Sequence, residues 1–72
     1  MASLLTLVTE ATEAVASEFG AVDVLSLTPK QRVVIYLRYV RELSTEETAA
    51  ELRLSIRAVN RIHSRALDRL CE

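Results

Sequence analysis

Leu4, Leu7, Val8, Ala11, Val15 and Phe19 recur at steps of three and four residues. At about 100° per residue they form one stripe, so the spacing predicts an amphipathic helix over residues 4–19. Thr9, Glu10, Glu13 and Ser17 fall on the opposite face, with Ser3 as N-cap and Gly20 as the stop. Val22 to Leu27 then read as a link. A second helix starts at Thr28-Pro29-Lys30-Gln31, with a cap hydroxyl, Pro at the first helical position and Gln three residues after the cap. Its continuation, Val33 to Val40, is apolar almost all round. Read alone, that β-branched and aromatic stretch also fits a buried strand. The cap in front of it, and the lack of a partner strand, favour a central buried helix.

Ser44-Thr45-Glu46-Glu47 forms a capping box and opens a short helix that ends near Arg53, with Thr48, Ala49 and Leu52 turned inward. A last helix follows Ser55 and runs to Leu70. Val59, Ile62, Ala66, Leu67 and Leu70 form its apolar face. Arg57, Arg61, Arg65 and Arg69 follow one another at steps of four, and Arg53 precedes them on the same spacing. Each step advances about 40°, so the four helical arginines sweep roughly 120° away from the core. The expectation is an all-α, four-helix fold.

Composition narrows the function. The chain has 72 residues, enough for one small domain, and half of them are apolar. It has one Gly, one Pro and one Cys, which leaves no room for a turn-rich β-fold, a disulfide framework or a cysteine zinc site. The lone His63 and terminal Cys71 supply no metal cluster, so neither metal nor cofactor is expected. His63 reads as a satisfied residue at the core edge, and Cys71 as a passive thiol. Ser55, His63, Ser64 and Asp68 lie along one helix and do not form a hydrolase triad, so no enzyme is expected. No apolar run approaches the ~20 residues of a membrane span, and no basic leader is visible, so a cytoplasmic protein is expected.

The net charge of −1 is unevenly distributed. Residues 1–27 carry −4, while residues 28–72 carry nine basic and six acidic side chains. The predicted boundary between an acidic N-terminal helix with linker (1–26) and a basic domain (27–72) follows this division. A short helix, a tight turn and a longer helix with a basic outer face form a helix-turn-helix pattern. Such a unit places the start of its second helix in the DNA major groove, and cap hydroxyls such as Ser44 and Ser55 can hold phosphates. Double-stranded DNA is therefore the expected partner.

Residues 27–70 resemble region 4 of bacterial RNA polymerase sigma factors. The resemblance rests on Leu37-Arg38-Tyr39, the opening at Ser44 to Glu47, and Ser64-Arg-Ala-Leu-Asp-Arg-Leu70. It implies a helix-turn-helix that reads a promoter −35 element and contacts the flap of the polymerase β subunit. By position, Ile56, Arg57, Asn60 and Arg61 stand where the family reads bases or the adjacent backbone. Lys30, Arg38 and Arg65 stand where it holds phosphates. Tyr36, Leu37, Tyr39 and Val40 lie near the flap-binding region.

Some positions depart from the pattern. Housekeeping members carry a basic residue where Ile56 stands, an acidic one at Arg57 and Gln at Arg61, so the housekeeping −35 sequence is not the expected target. Arg53 fills a turn position usually held by Gly or Asn, which implies local strain or a different turn. Nothing in the chain corresponds to the region that melts the −10 element. This points to a fragment, half of a split sigma factor or a regulator that borrowed the module. The initiating Met and the distinct acidic helix favour a complete small protein. The 4–8–11–15 spacing of the first helix also suits a homodimer seam interrupted by Glu18, and its acidic face could temper DNA binding by a neighbour.

Two alternatives stand beside DNA reading. An adaptor would dock on RNA polymerase or an anti-sigma protein without touching bases. The output domain of response regulators shares the Leu-Thr-Pro opening and a similar helix-turn-helix, but the Leu-Arg-Tyr segment favours the sigma module.

Overall fold

The computed structural model describes residues 3–70, so Cys71 lies outside the described residues. Five α-helices occur among them: α1 (Leu4–Phe19), α2 (Ala21–Ser26), α3 (Pro29–Ile35), α4 (Thr45–Leu52) and α5 (Ile56–Leu70). A π-helical turn, Tyr36–Val40, continues α3. The fold is all-α with a helix-turn-helix, as the hydrophobic pattern predicts.

Short-range side-chain bonds set most helix starts. Ser3 Oγ accepts from the Thr6 amide, 3.2 Å away. Thr28 and Gln31 cap each other reciprocally, as do Ser44 and Glu47. Ser55 Oγ accepts from the Ala58 amide at 3.1 Å. Each bond satisfies an amide that a helix start otherwise leaves unpaired.

The segment expected as a link is instead the helix α2. Gly20, at φ 98°, ends α1 and starts α2 in one step. Six residues are too few to be stable alone, and tertiary contacts hold them. Val24 and Leu27 are buried. Arg32 Nε donates to the Val24 carbonyl at 2.9 Å, and Arg69 Nη1 to the Ser26 carbonyl at 3.2 Å.

The run that begins in α3 is apolar all round because four helices surround it. Ile35 packs with Val15, Val24, Leu27 and Ala66. Val33 and Leu37 pack with Ala11 of α1. Val34 meets Ala49 and Val59, joining α3 to α4 and α5. Thr48 is fully buried beside these groups, and its hydroxyl has no hydrogen-bond partner among the described residues.

Two predicted surfaces change. The α1 stripe turns into this chain's own core through Ala11 and Val15, so those seam positions are not open to a second copy. Phe19, at the end of the stripe, is exposed. Leu37 is 1% exposed because α1 covers it, and it cannot contact a partner directly.

Two charged residues take left-handed backbone, Glu42 and Arg53, each at φ 56°. This conformation costs an L-residue about 1–2 kcal/mol. Glu42 follows the π-helical turn, where the Leu43 amide reaches back to the Leu37 carbonyl at 2.9 Å. Arg53 ends α4 in a Schellman closure. Its amide points to Ala50, and the Leu54 amide donates to the Ala49 carbonyl at 2.9 Å.

Candidate nucleic-acid interface

The orientation of α5 follows from its apolar side. Val59 and Ala66 are fully buried, while Arg57, Asn60, Arg61, Arg65 and Arg69 are exposed. α4 and α3 brace the buried side through Ala49 and Val34. The basic face of α5 therefore points outward along its length.

The arginines are not equivalent. The guanidinium hydrogen bonds among the described residues come from Arg32, Arg38 and Arg69. Arg69 is tied to α2, which removes it from the open row. Arg38 Nη1 donates to the Leu43 carbonyl at 2.6 Å, and its Nε is buried without a partner among the described residues. Arg38 thus fastens the loop before α4 and keeps only part of its guanidinium for any other contact. Arg57, Arg61 and Arg65 are left open.

Lys30, Arg61 and Arg65 line one groove of about 350 Å³ between the start of α3 and the flank of α5. The fold thereby joins residues 31 and more positions apart in the chain into one basic surface. Ile56, 46% exposed, stands with Arg57 at the free end of α5. The first turn of α5 contains no acidic residue, so its amides and Ser55 suit an anion. The start of α4 does not. There the Glu47 carboxylate accepts from the Ser44 amide at 2.9 Å, and Ser44 Oγ already accepts from the Glu47 amide at 3.0 Å. These bonds hold the Glu47 carboxyl below its ordinary pKa, so it is negative where a phosphate would sit. This weighs against Ser44 as a phosphate ligand.

The expected partner surface divides in the same way. Tyr36 is half-buried between two core clusters, whereas Tyr39 and Val40 are exposed. Tyr39 also bonds to α5, its hydroxyl lying 2.7 Å from His63 Nε2. His63 is half-buried at the core edge, as the sequence predicts. A second, apolar groove of about 700 Å³ lies next to the basic one, lined among others by Val8, Pro29, Leu52, Leu54 and Ile62. The sequence carries no sign of it, because its walls come from four helices.

Burial, and secondarily the positive charge of Arg38, push the His63 pKa below its ordinary value. The folded protein therefore binds fewer protons than the unfolded chain on acidification, and stability falls as pH drops through the ordinary imidazole range. Urea unfolding at pH 7.5 and at pH 5.5 is expected to show lower stability at the acid value, and His63→Gln to reduce that difference. Parent and variant losing equal stability between the two pH values would contradict this assignment.

Among the described residues, no helix is long and apolar enough to cross a membrane, and no group of three His, Cys, Asp or Glu could hold a metal.

Known proteins resemble this arrangement in sequence. The family model described as Sigma-70, region 4 matches residues 25–72. The chain is 48% identical over 64 residues to the RNA polymerase sigma-E factor of Streptomyces coelicolor, covering 88% of this chain and 36% of that protein. It is 46% identical over 66 residues to the RNA polymerase sigma-E factor of Streptomyces avermitilis, covering 90% of this chain and 37% of that protein. The protein of the same name from Streptomyces antibioticus is 52% identical over 46 residues, covering 64% of this chain and 26% of its own length. The chain spans about a third of the length of the first two relatives. With 90% of the chain aligned, most of α1 lies inside the similarity, so the likeness extends beyond the residues 27–70 that carry the resemblance in the sequence. No solved structure matches.

Proposed function

The chain belongs to the sigma-70 region 4 family, and on that premise we propose that it is a DNA-binding transcription module that reads a promoter −35-like element. The start of α5 enters the major groove, with Ile56, Arg57, Asn60 and Arg61 toward base edges. Lys30, Arg65, Ser55 and the free part of Arg38 face the phosphates. The observation that carries this reading is the outward basic row of α5, with Lys30, Arg61 and Arg65 gathered on one groove. Residues 27–72 form the recognition unit, and α1 supports it from behind by packing on α3.

The relatives are named as RNA polymerase factors, which supports polymerase as a partner of this chain. Exposed Tyr39 and Val40 are the surface offered to the β flap. A second reading, an adaptor that docks on polymerase or an anti-sigma protein without reading bases, draws on the apolar groove beside the basic one.

Selection of bound duplexes from a random library, with and without polymerase core, separates the two. The DNA reading expects an enriched sequence and an affinity that falls steeply with salt. Retention on polymerase in high salt with no enriched duplex would favour the adaptor and remove the proposal.

A further inference from the structure

We propose that Arg53, in the turn between α4 and α5, is a contact to the DNA backbone. This rests on the DNA-binding reading above and adds to it a residue outside the recognition helix.

The backbone supplies the first observation. Arg53 holds φ 56°, ψ 41° at the end of α4, a conformation that glycine adopts without steric penalty. Strained positions of this kind persist where the surrounding structure enforces them and concentrate at functional sites. Here the Schellman closure enforces the conformation through the Leu54 and Arg53 amides. That closure uses only main-chain atoms, so it would form equally well around glycine. The arginine side chain does nothing for it.

The second observation is the side chain itself. Arg53 is exposed and is not among the arginines that hydrogen-bond within the fold. Among the described residues, no side-chain hydrogen bond therefore offsets the strain. The remaining intramolecular role is a cation near the end of the α4 dipole, a benefit that would appear in folding.

The third is position. Arg53 stands two residues before Ser55, the cap of α5, and four before Arg57. A helix-turn-helix lays its first helix across the backbone and its second into the groove. The turn joining them is within an arginine's reach of the strand that flanks the groove.

The test uses the full chain with R53G, R53N and R53K, a labelled mixed-sequence duplex, and anisotropy titrations over a range of salt, with urea unfolding of each variant alongside. R53G is expected to fold at least as stably as the parent. Its DNA affinity should fall roughly eightfold near 0.1 M salt, and its salt slope should become shallower by about 0.9, the signature of one phosphate contact. R53N tolerates the same backbone and should repeat the loss, whereas R53K should keep the parental slope. R53G and R53N binding with parental affinity and slope would overturn the proposal, as would a loss confined to stability. A parent chain that binds no duplex at low salt would remove the DNA reading itself and Arg53 with it, an outcome distinct from a salt-sensitive parent and an unchanged variant.

Discussion

Ile35→Ala is expected to lower the unfolding free energy by about 3–4 kcal/mol, within the range for truncating a buried isoleucine. A chain of 72 residues has on the order of 4–11 kcal/mol in total, so this one change removes a large share of it. Ile35 is fully buried and touches residues from α1, α2 and α5 at once. Three helices border the cavity left behind, and none can collapse into it without losing its other contacts. α2 should suffer most, because six residues have little stability of their own. Urea denaturation followed by circular dichroism measures the effect, with Ile56→Ala as the comparison. Ile56 is 46% exposed, and its truncation should shift stability by no more than about 0.5 kcal/mol. A loss below about 1 kcal/mol at Ile35 would show that the core does not converge on this side chain.

Arg61→Ala should change which DNA sequence is preferred. The side chain stands on the open face of α5 and also lines the groove that holds Lys30 and Arg65. A guanidinium aimed at guanine accepts no other base equally well, and losing such a pair costs about 1–3 kcal/mol of discrimination. Affinity for a selected duplex should drop roughly 5- to 150-fold, while binding to the same duplex altered at the contacted base pair should change little. Arg65→Ala, on the phosphate side, should weaken both duplexes by the same factor. Competition titrations with the two duplexes distinguish these patterns. If Arg61→Ala reduces both affinities equally, Arg61 belongs with the backbone contacts and the reading of bases falls to Arg57 and Asn60.

Features that depend on neighbours a few residues apart were legible in the sequence. The four cap hydroxyls each bond within three positions along the chain. The arginine row needs only the helical period to face outward. The strain at Arg53 could be read because few residues other than Gly and Asn take a left-handed turn cheaply. Features built by distant contacts were not legible. α2 carries no cap side chain and is too short to show a period, so its helicity depends on Arg32 and Arg69 reaching its carbonyls. The resemblance sets Leu37 near a partner-binding region, and the packing of α1 over it takes it out of a partner's reach. The distinction between tied Arg69 and open Arg65 rests on a bond spanning 43 positions.

The wide turn at Tyr36–Val40 makes the chain unequally sensitive to changes of length. It closes with the Arg41 amide on the Tyr36 carbonyl, 3.0 Å apart, so it holds one residue more than a regular α-turn requires. Deleting one residue there would let the stretch relax into an ordinary α-spiral. The chain downstream would keep nearly its present direction, because the wide turn already absorbs the residue that an ordinary α-turn does without. Homologous chains with a one-residue gap at this place would therefore hold α5 at nearly the same angle to the central rod, whereas a gap within Pro29–Ile35 would turn it by about 100°.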